Sequence, residues 1–437
     1  MPEINGPKVV LATFGTHGDL NPMIAVALGL QQQGLLPVIA TSSEYQAKVA
    51  AAGIAFQAVR PSVEQIRSDF RLSDEEMFQK VATDPAFLLR DLSMPYARGA
   101  FEDMQPVLEG AGVMLSTILA FGARLAAEKR GVPQMGVALQ PAMFLSAYDP
   151  AMNPHAVAIS KLCRRLGPRV TGAAVWMMKK VVNRWAAPLA GLRAEIGLPP
   201  YPGNLIFDAM FSRHGNLALY SSVLGGVQPD YPPRTQVTGF TFYDEDPEEG
   251  VATGADLARF LAAGAPPIAF VLGSAAHVDA RDFFHVSVEA ARALGRRAVV
   301  VTGSVPAPEL SASADVFACR YARYSQLFAG VAAIVHQGGI GTLAQAMRAG
   351  KPQIVVPFHG DQLDNGTRVE ELGAARVIAR EKYRKEHVVA ELARVLNEPG
   401  YSAAAAKIAA QVRSEDGVGQ AVAAIRRVLA EAPRARG

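Results

Sequence analysis

The chain contains 437 residues, half of them hydrophobic, and this length predicts two domains that each bury a core of their own. Its formal net charge is only +3 at pH 7, and no block of lysine and arginine reaches the density of a nucleic-acid-binding surface. These properties exclude a disordered chain and argue against nucleic acid as a partner.

The cysteines and the first residues indicate the compartment. Cys163 and Cys319 lie far apart, in no CxxC or Cys/His cluster, which disfavours a disulfide framework or a zinc site and fits a reducing environment. The chain begins without a basic segment or a small-residue cleavage site, and no run of about 18 apolar residues follows. We therefore expect a cytoplasmic protein without a signal peptide or a membrane-spanning helix.

The N-terminal residues have the pattern of a β-α-β unit. An apolar, β-branched strand is predicted at residues 8–14, and a glycine loop follows at residues 15–20. Asn21 and Pro22 have the residue types of a helix cap and a first helical position, so we expect a helix to begin there. A second strand is predicted to begin at residues 38–40.

The middle of the chain changes character twice. Strands are predicted at residues 112–119 and 134–139, and residues 150–200 then form a long amphipathic helical region. Residues 229–250 are rich in turn-forming and acidic residues, and we place the domain linker there. The alternation restarts after it, with strands predicted at 268–272, 298–302, 316–319, 331–335 and 353–356 and helices at 280–294, 342–349 and 417–430.

Strands that alternate with helices predict an α/β fold with parallel sheets covered on both faces. We assign residues 1–235 to an N-terminal domain, 236–415 to a C-terminal domain, and 416–437 to a helix that packs back toward the first domain. Ligands of such sheets bind at the carboxyl ends of the strands, so the glycine loops of both domains should face one inter-domain cleft.

The first glycine loop carries two candidate catalytic side chains, His17 and Asp19. Both follow a predicted parallel strand, where either side chain can act as a general base on a hydroxyl within about 2.6–3.2 Å. The alternative for Asp19 is a purely structural role as a helix cap.

The second glycine loop follows a buried strand and carries His336, Gly338, Gly339, Gly341 and Thr342. A glycine turn that opens a helix presents backbone N–H groups and the positive end of the helix dipole, which suits a diphosphate. The pair Asp361 and Gln362 follows, and its side chains can accept from and donate to sugar hydroxyls.

Residues 339–344 also satisfy a degenerate GxGxxA pattern, with Asp361 downstream, and this sustains an NAD(P)-binding alternative. Three details disfavour it. His336 precedes the glycines, Gln362 follows the aspartate, and Asp361 lies past Pro357 in a loop rather than at the end of a strand. A cluster of turn glycines with an ordinary surface Asp-Gln pair is the remaining explanation.

Two other segments are weaker candidates. Gly273 and Ser274 end a predicted strand and can offer a backbone N–H and a hydroxyl to the same phosphates. The basic amphipathic region from Lys161 to Arg184 contains tryptophan, which indicates membrane-surface contact, an apolar wall for an acceptor, or an ordinary solvated helix face. Walker-type GxxxxGK[ST], HExxH and GxSxG motifs are absent from the sequence, and the Asp-Gln pair is not an Asp-x-Asp metal site.

Three segments carry a resemblance to a known family. They are residues 324–342, residues 349–365 with Pro357, Asp361 and Gln362, and the N-terminal loop 15–22. Together they resemble family 1 glycosyltransferases, and within that family the bacterial branch containing the rhamnosyltransferase catalytic subunit of rhamnolipid synthesis and the sterol glucosyltransferases. The resemblance covers both halves in order; residues 60–215 match only in general layout.

The resemblance implies a GT-B fold of two Rossmann-like domains and an inverting, metal-independent sugar transfer from a nucleoside diphosphate to a hydroxyl. Asp19 matches the catalytic-base position, and His17 is the neighbour that shares or tunes that role. Tyr321 is our candidate for packing against the nucleobase. The donor-binding roles implied are those of Ser274, His336, Gly338, Gly339, Gly341 and Thr342 at the diphosphate and of Asp361 and Gln362 at the sugar.

Several positions depart from the family pattern. Gln337 replaces a frequent second histidine, Leu363 a frequent proline, and Arg323 a proline common before the signature, while Ala344 stands where plant members have a ribose-binding glutamate. These departures leave the identity of nucleotide and sugar open.

The prediction is therefore a glycosyltransferase that needs no cofactor or metal and takes a UDP- or dTDP-hexose as co-substrate. Its acceptor is expected to be hydrophobic: a lipid, a sterol, a polyketide or a flavonoid-like molecule. We expect a cytoplasmic enzyme. A peripheral contact with the inner face of the membrane is compatible with this expectation. The alternatives are a nucleotide-sugar epimerase and a non-catalytic partner subunit that keeps the fold.

Overall fold

The computed structural model describes residues 6–84, 86–244, 251–273, 280–303 and 313–431. The chain divides into two compact units, which we call unit 1 (Met1–Ala151, Ala158–Glu245 and Glu415–Gly437) and unit 2 (Met152–Val157 and Asp246–Ser414). The first boundary thus lies after Glu245, beyond the predicted residue 235. The short segment Met152–Val157 belongs to unit 2 although its neighbours in the chain belong to unit 1, and the sequence pattern did not predict this.

Unit 1 is built on a seven-stranded sheet. Its strands are β1 (Lys8–Ala12), β2 (Leu36–Thr41), β3 (Ala55–Ala58), β4 (Ala111–Ser116), β5 (Gln134–Ala138), β6 (Asn216–Ala218) and β7 (Thr235–Val237). Their spatial order is β3-β2-β1-β4-β5-β6-β7, and all pairs are parallel. The interior strand β1 places Leu11 opposite Ile39 and Leu115, and all three are fully buried. Such continuous apolar runs are what a parallel sheet covered on both faces requires.

The helices of unit 1 follow the strands, and the helical regions predicted at residues 150–200 and 417–430 are confirmed. The helices are α1 (His17–Gln32), α2 (Gln46–Ala51), α3 (Val63–Phe70), α4 (Asp74–Thr83), α5 (Ala97–Val107), α6 (Phe121–Arg130), α7 (Val157–Leu166), α8 (Pro168–Val182), α9 (Ala187–Glu195) and the C-terminal α17 (Gly417–Glu431). α17 packs on α1, where a Cβ atom added to Gly29 would lie 2.4 Å from Val418 Cγ1. Gly29 is therefore the residue that lets the two helices approach.

Unit 2 contains a six-stranded parallel sheet of order β10-β9-β8-β11-β12-β13. Its strands are β8 (Ile268–Val271), β9 (Ala298–Val301), β10 (Val316–Cys319), β11 (Ala333–His336), β12 (Gln353–Val355) and β13 (Ala375–Val377). Its helices are α10 (Val251–Ala262), α11 (Ala280–Ala293), α12 (Tyr324–Leu327), α13 (Ile340–Ala349), α14 (Gln362–Glu371), α15 (Lys385–Asn397) and α16 (Pro399–Ser414).

Alternate residues of β8 enter two different cores. Phe270 packs in a cluster that includes Phe284 and Leu392, whereas Val271 belongs to a cluster that includes Phe328. This period of two is what a strand with helices on both faces produces. The α/β class with two parallel sheets is thus confirmed.

The predicted start of the first helix is wrong. α1 begins at His17 with Thr16 as its cap, so Asn21 and Pro22 lie inside the helix. The reason is a reciprocal hydrogen-bond pair between Thr16 and Asp19, which satisfies the first N–H groups one turn earlier than an Asn21 cap would. Among the described residues, no helix has the length and apolar character needed to cross a membrane.

Candidate active site

The carboxylate of Asp19 is held at the first turn of α1 by Thr16. The Thr16 backbone N–H donates to Asp19 Oδ2 at 2.8 Å, and the Thr16 hydroxyl donates to the same oxygen at 3.3 Å. Burial raises the pKa of Asp19 above its ordinary value, and the hydrogen bonds from Thr16 oppose that rise. Asp19 is therefore the third residue of α1 and completes the capping box of Thr16; it does not cap a helix that begins near Pro22. This structural role is compatible with the base role, since Oδ1 makes neither of the bonds to Thr16.

His17 is the neighbour of Asp19 and contacts a buried lysine. Lys48 Nζ lies 3.2 Å from His17 Nδ1, and the Lys48 residue is only 2% exposed. An ammonium group donates hydrogen bonds and accepts none, so this contact makes Nδ1 the acceptor and places the imidazole proton on Nε2. In this tautomer the Nε2 atom is a donor, which favours Asp19 over His17 as the proton acceptor.

Tyr45 fixes the other side of the same loop. Its hydroxyl donates to the carbonyl of Gly15 at 2.9 Å, and its ring meets the His17 ring edge-on, with 5.2 Å between the centroids. Lys48 and Tyr45 both belong to the segment after β2, so the neighbouring strand holds the loop that carries Asp19. Sequence reasoning missed both residues.

In unit 2, the glycine turn joins β11 to α13. Gly338 has a φ of +91°, and a Cβ atom there would lie 2.7 Å from Val355 Cγ1 and 2.8 Å from the Gln362 carbonyl oxygen. Only glycine fits such a position. Gly339 is the cap residue of α13 and has no side chain to accept from the first N–H groups of the helix. The cap residue therefore leaves the first N–H groups of α13 without a side-chain partner, and free N–H groups at the start of a helix are what an anion cradle needs.

His336 supports this turn from beneath. Its ring is fully buried, its Nε2 lies 2.9 Å from Gln353 Oε1, and its Nδ1 accepts from the Gly338 N–H at 3.1 Å. Burial lowers its pKa to about 4, so the ring is neutral at pH 7, with its proton on Nε2. In the structure, His336 therefore stabilises the turn. Its direct contact with a diphosphate stays a prediction, and the ring exposes no atom that could make this contact in its present position.

Gln337 stands next to the turn and is 4% exposed. Its Oε1 has no hydrogen-bond partner among the described residues, and its Nε2 lies so close to Gly273 that a Cβ atom there would be 2.3 Å away. A buried amide without a full set of partners is costly in a folded protein. Gln337 is therefore a further candidate donor-site residue. The predicted Ser274 lies outside the described residues.

Asp361 is tied to the glycine turn through Asn365. Asn365 Nδ2 donates to Asp361 Oδ2 at 2.6 Å and to the Gly338 carbonyl at 3.0 Å. Asn365 is buried and lies one helical turn after Asp361, a spacing that could have singled it out. This bridge orients the Asp361 carboxylate relative to the turn.

The Gln362 side chain is used within its own loop. Its Oε1 accepts from the backbone N–H groups of Phe358 at 2.8 Å and of His359 at 3.2 Å, and the residue is 3% exposed. The predicted contact of Gln362 with sugar hydroxyls stays a prediction, and the geometry shows that the residue first shapes the loop before Asp361.

The remaining predicted residues surround the same turn or end a nearby strand. Thr342 and Gly341 lie in the first turn of α13, where a Cβ atom added to Gly341 meets no atom within 4 Å. Tyr321 follows β10 and is partly buried. Asp19 and His17 thus belong to unit 1, and the other described candidates belong to unit 2.

Comparison with known proteins assigns both halves of the chain. Residues 9–141 match the glycosyltransferase family 28 N-terminal domain, and residues 300–425 match the erythromycin biosynthesis protein CIII-like C-terminal domain. The chain is 31% identical to glycosyltransferase GtfC of Amycolatopsis orientalis over 84% of each chain. It is 27% identical to O-mycaminosyltylonolide 6-deoxyallosyltransferase of Streptomyces fradiae, over 94% of this chain and 95% of that protein.

A third relative is much longer. The sterol 3-beta-glucosyltransferase of Neosartorya fischeri is 28% identical over 97% of this chain, which spans 29% of that protein. These relatives transfer sugars and are not dehydrogenases, so the NAD(P)-binding alternative for residues 339–344 is set aside.

Solved structures agree on the fold. The glycotransferase of kitacinnamycin superposes with a TM-score of 0.71 at 20% identity, covering 97% of this chain and 99% of that one. Spinosyn rhamnosyltransferase SpnG, complexed with thymidine diphosphate, gives a TM-score of 0.64 at 17% identity, covering 96% of this chain and 99% of that one. The chain belongs to the family 1 glycosyltransferases, nucleotide-sugar-dependent enzymes of the GT-B fold.

Proposed function

We propose that this enzyme transfers a hexose from a UDP- or dTDP-sugar to a hydroxyl of a hydrophobic acceptor, with inversion at the anomeric carbon and without a metal ion. The observation that carries the proposal is the Asp19 carboxylate: it is fixed by Thr16, and burial raises its pKa. Such a group is suited to accept a proton from an alcohol.

On the donor side, the proposal assigns the diphosphate to the turn between β11 and α13. As the bond between the anomeric carbon and the phosphate oxygen breaks, negative charge grows on the leaving nucleoside diphosphate. The N–H groups at the start of α13 and the helix dipole stabilise that charge in place. His336 contributes as a neutral brace of the turn, because its pKa of about 4 leaves it uncharged at pH 7.

On the acceptor side, the hydroxyl oxygen forms the new bond to the anomeric carbon, and its proton passes to Asp19. One base suffices, because the acceptor attacks directly and no covalent glycosyl-enzyme is formed. A single displacement inverts the configuration at that carbon. His17 keeps its Nε2–H as a donor beside the acceptor and does not compete for the proton.

The acceptor and donor classes are proposed from the relatives. Two of them act on O-mycaminosyltylonolide and on a sterol, which supports a bulky, hydrophobic acceptor. The thymidine diphosphate in the SpnG structure supports a dTDP-sugar, and that protein's name makes rhamnose one of the hexoses to test. We also propose that the enzyme is cytoplasmic and contacts the membrane peripherally.

A donor screen followed by product analysis tests the proposal. UDP and dTDP are expected to raise the thermal unfolding temperature, whereas NAD and GDP are not. With a matching α-linked nucleotide sugar and a panel of sterol, polyketide and flavonoid acceptors, NMR should show a β-linked product, formed equally well in EDTA. An α-linked product or a requirement for a divalent cation would refute the mechanism. Conversion of the nucleotide sugar without an acceptor would instead favour the epimerase alternative.

A further inference from the structure

Helices α7 and α8 expose many of their apolar residues to solvent. The buried residues of α7 and α8 are Ser160, Thr171 and Val182, two of which are polar, and on α8 Val182 and Met178 pack against the core of unit 1. Seven large apolar side chains of these helices are between 45% and 63% exposed: Ile159, Leu162, Leu166, Val170, Trp176, Met177 and Val181. A water-soluble surface rarely exposes such a patch without a partner.

The spacing of these residues makes a continuous stripe. Ile159, Leu162 and Leu166 follow one face of α7 at intervals of three and four, and Val170, Met177 and Val181 follow one face of α8 at intervals of seven and four. Trp176 lies beside this stripe on α8, with Lys180 Nζ 5.6 Å from its ring centroid. We call these seven residues the α7–α8 face.

The charged residues that this segment contributes have one sign. Residues 150–194 include no aspartate or glutamate, and Lys161, Arg165, Arg169, Lys180 and Arg184 are all exposed. The other three lysines and arginines of the segment have partners: Lys179 pairs with Asp208, Arg193 pairs with Glu128, and Arg164 donates to the Pro150 carbonyl. The face is therefore apolar, and the rim that its own helices supply is basic.

We infer that the α7–α8 face docks on a membrane surface that contains anionic lipid. The basic rim attracts anionic headgroups, and the apolar stripe, with Trp176, inserts at the boundary between headgroups and acyl chains. A second copy of the chain is a poorer occupant, because a symmetric dimer through this face would oppose two basic rims.

The use of such docking rests on the proposed function. A hydrophobic acceptor concentrates in a membrane, so an enzyme held at that surface meets it at high local concentration. The docking itself does not need turnover, and vesicle binding can be measured with an enzyme that transfers nothing. A failure of the docking inference is thereby distinguishable from a failure of the proposed function.

Sedimentation with vesicles of phosphatidylcholine, with and without phosphatidylglycerol, tests the inference. We expect the full chain to sediment with the anionic vesicles, to be released by high salt, and to bind neutral vesicles at least about tenfold less. Two variants should each lower binding about tenfold or more: Trp176→Ser with Met177→Ser, which removes apolar insertion, and Arg165→Glu with Arg169→Glu, which reverses charge.

The control is Val227→Ser, which removes an apolar side chain that is 55% exposed elsewhere in unit 1 and should bind like the wild type. The inference is overturned if the wild type does not bind anionic vesicles, or if the Trp176 and Met177 variant binds them normally. It is also overturned if that variant instead dissociates a dimer, or if it changes only the kinetics toward a soluble acceptor, since a second copy or the acceptor would then be the occupant.

Discussion

Asp19 combines a structural and a proposed chemical role in one side chain, and its substitution can separate them. Asn in place of Asp keeps an oxygen that accepts from the Thr16 N–H but cannot take a proton at neutral pH. Ala removes both properties. The cap is worth about 1 kcal/mol, so the two variants should differ in stability as well as in chemistry.

We predict that Asp19→Asn lowers kcat by about 10²- to 10⁴-fold, with an unfolding temperature close to that of the wild type and unchanged nucleotide affinity. Asp19→Ala should lose the same activity and about 1 kcal/mol of stability in addition. Steady-state kinetics, calorimetric titration with dTDP or UDP, and thermal unfolding measure the three quantities. Substantial turnover by Asp19→Asn would show that another group is the base.

Lys48 acts on the site through His17, so we regard it as a positioning residue. Met has a similar length and no charge, and Lys48→Met removes the hydrogen bond to His17 Nδ1. Without that bond, the His17 ring is no longer held in the tautomer and orientation that place its Nε2–H beside the acceptor.

The expected result is a kcat about tenfold lower than that of the wild type, because the imidazole no longer positions the acceptor hydroxyl toward Asp19. The double variant Lys48→Met with His17→Asn is the control: if Lys48 acts only through His17, adding Lys48→Met to His17→Asn should lower kcat no further. An unchanged kcat in Lys48→Met would contradict the positioning role. Donor affinity should not change in either variant.

Gly338 and Gly341 flank the start of α13, and the structure constrains them differently. The difference follows from where each residue lies relative to the helix. The backbone itself requires glycine at position 338, because φ is positive there and a Cβ atom would lie too close to two neighbouring atoms. Gly341 has open space around such an atom and lies within a helix, where Ala is favoured. A need for glycine at that position would come from a ligand.

We predict that Gly338→Ala destabilises the enzyme by about 1–3 kcal/mol. Gly341→Ala should stabilise it by about 0.4–1 kcal/mol and still weaken nucleotide binding about tenfold or more, because the methyl group occupies the place proposed for the diphosphate. Urea unfolding and calorimetric titration with dTDP and UDP measure the pair side by side. A normal nucleotide affinity of Gly341→Ala would contradict the proposal that the diphosphate binds at this helix terminus.

Elements with strong local patterns could be predicted from the sequence, and those set by distant partners could not. β10 was predicted at its observed bounds, and α17 within one residue. The signals used, the spacing of apolar residues and the glycines at the ends of elements, are local in the sequence. The start of α1 was missed because Pro22 and Asn21 suggest a helix entry, while the actual signal was Thr16 with Asp19 at the third helical position.

The site was predictable in part for the same reason. The glycine turn and Asp19 follow strand ends, which the pattern locates. The contact of His336 with Gln353 joins two neighbouring strands, and that of His17 with Lys48 spans 31 positions of the chain, so neither has a local signal. The burial that makes His336 neutral is likewise a property of the packed unit and not of its motif.

At the scale of the whole molecule, acid should act on the two units differently. In unit 2, burial lowers the pKa of His336 and of His359 to about 4, below the ordinary value of 6.5. Between these values the unfolded chain binds protons that the folded unit does not, so stability present above pH 6.5 is lost as the pH falls. For His336 alone, the loss approaches about 3 kcal/mol near pH 4. In unit 1, burial raises the pKa of Asp19, so its contribution to stability has the opposite sign and grows as the pH falls. Burial also lowers the pKa of His214 in unit 1, but this side chain is only partly buried and opposes the Asp19 effect less than the two imidazoles of unit 2 would.

We therefore predict that unit 2 unfolds before unit 1 when the pH is lowered from 7 toward 4 in moderate urea. Both tryptophans of the chain, Trp176 and Trp185, belong to unit 1, so their fluorescence reports that unit, while far-UV circular dichroism reports both. The dichroism transition should begin at a higher pH than the fluorescence transition, and dTDP or UDP should move only the former, because a ligand stabilises the unit that binds it. His359→Gln removes one of these two imidazoles and should shift the dichroism transition to lower pH. Coincident transitions, unmoved by nucleotide, would show that the units unfold together and that the imidazoles do not set the acid limit.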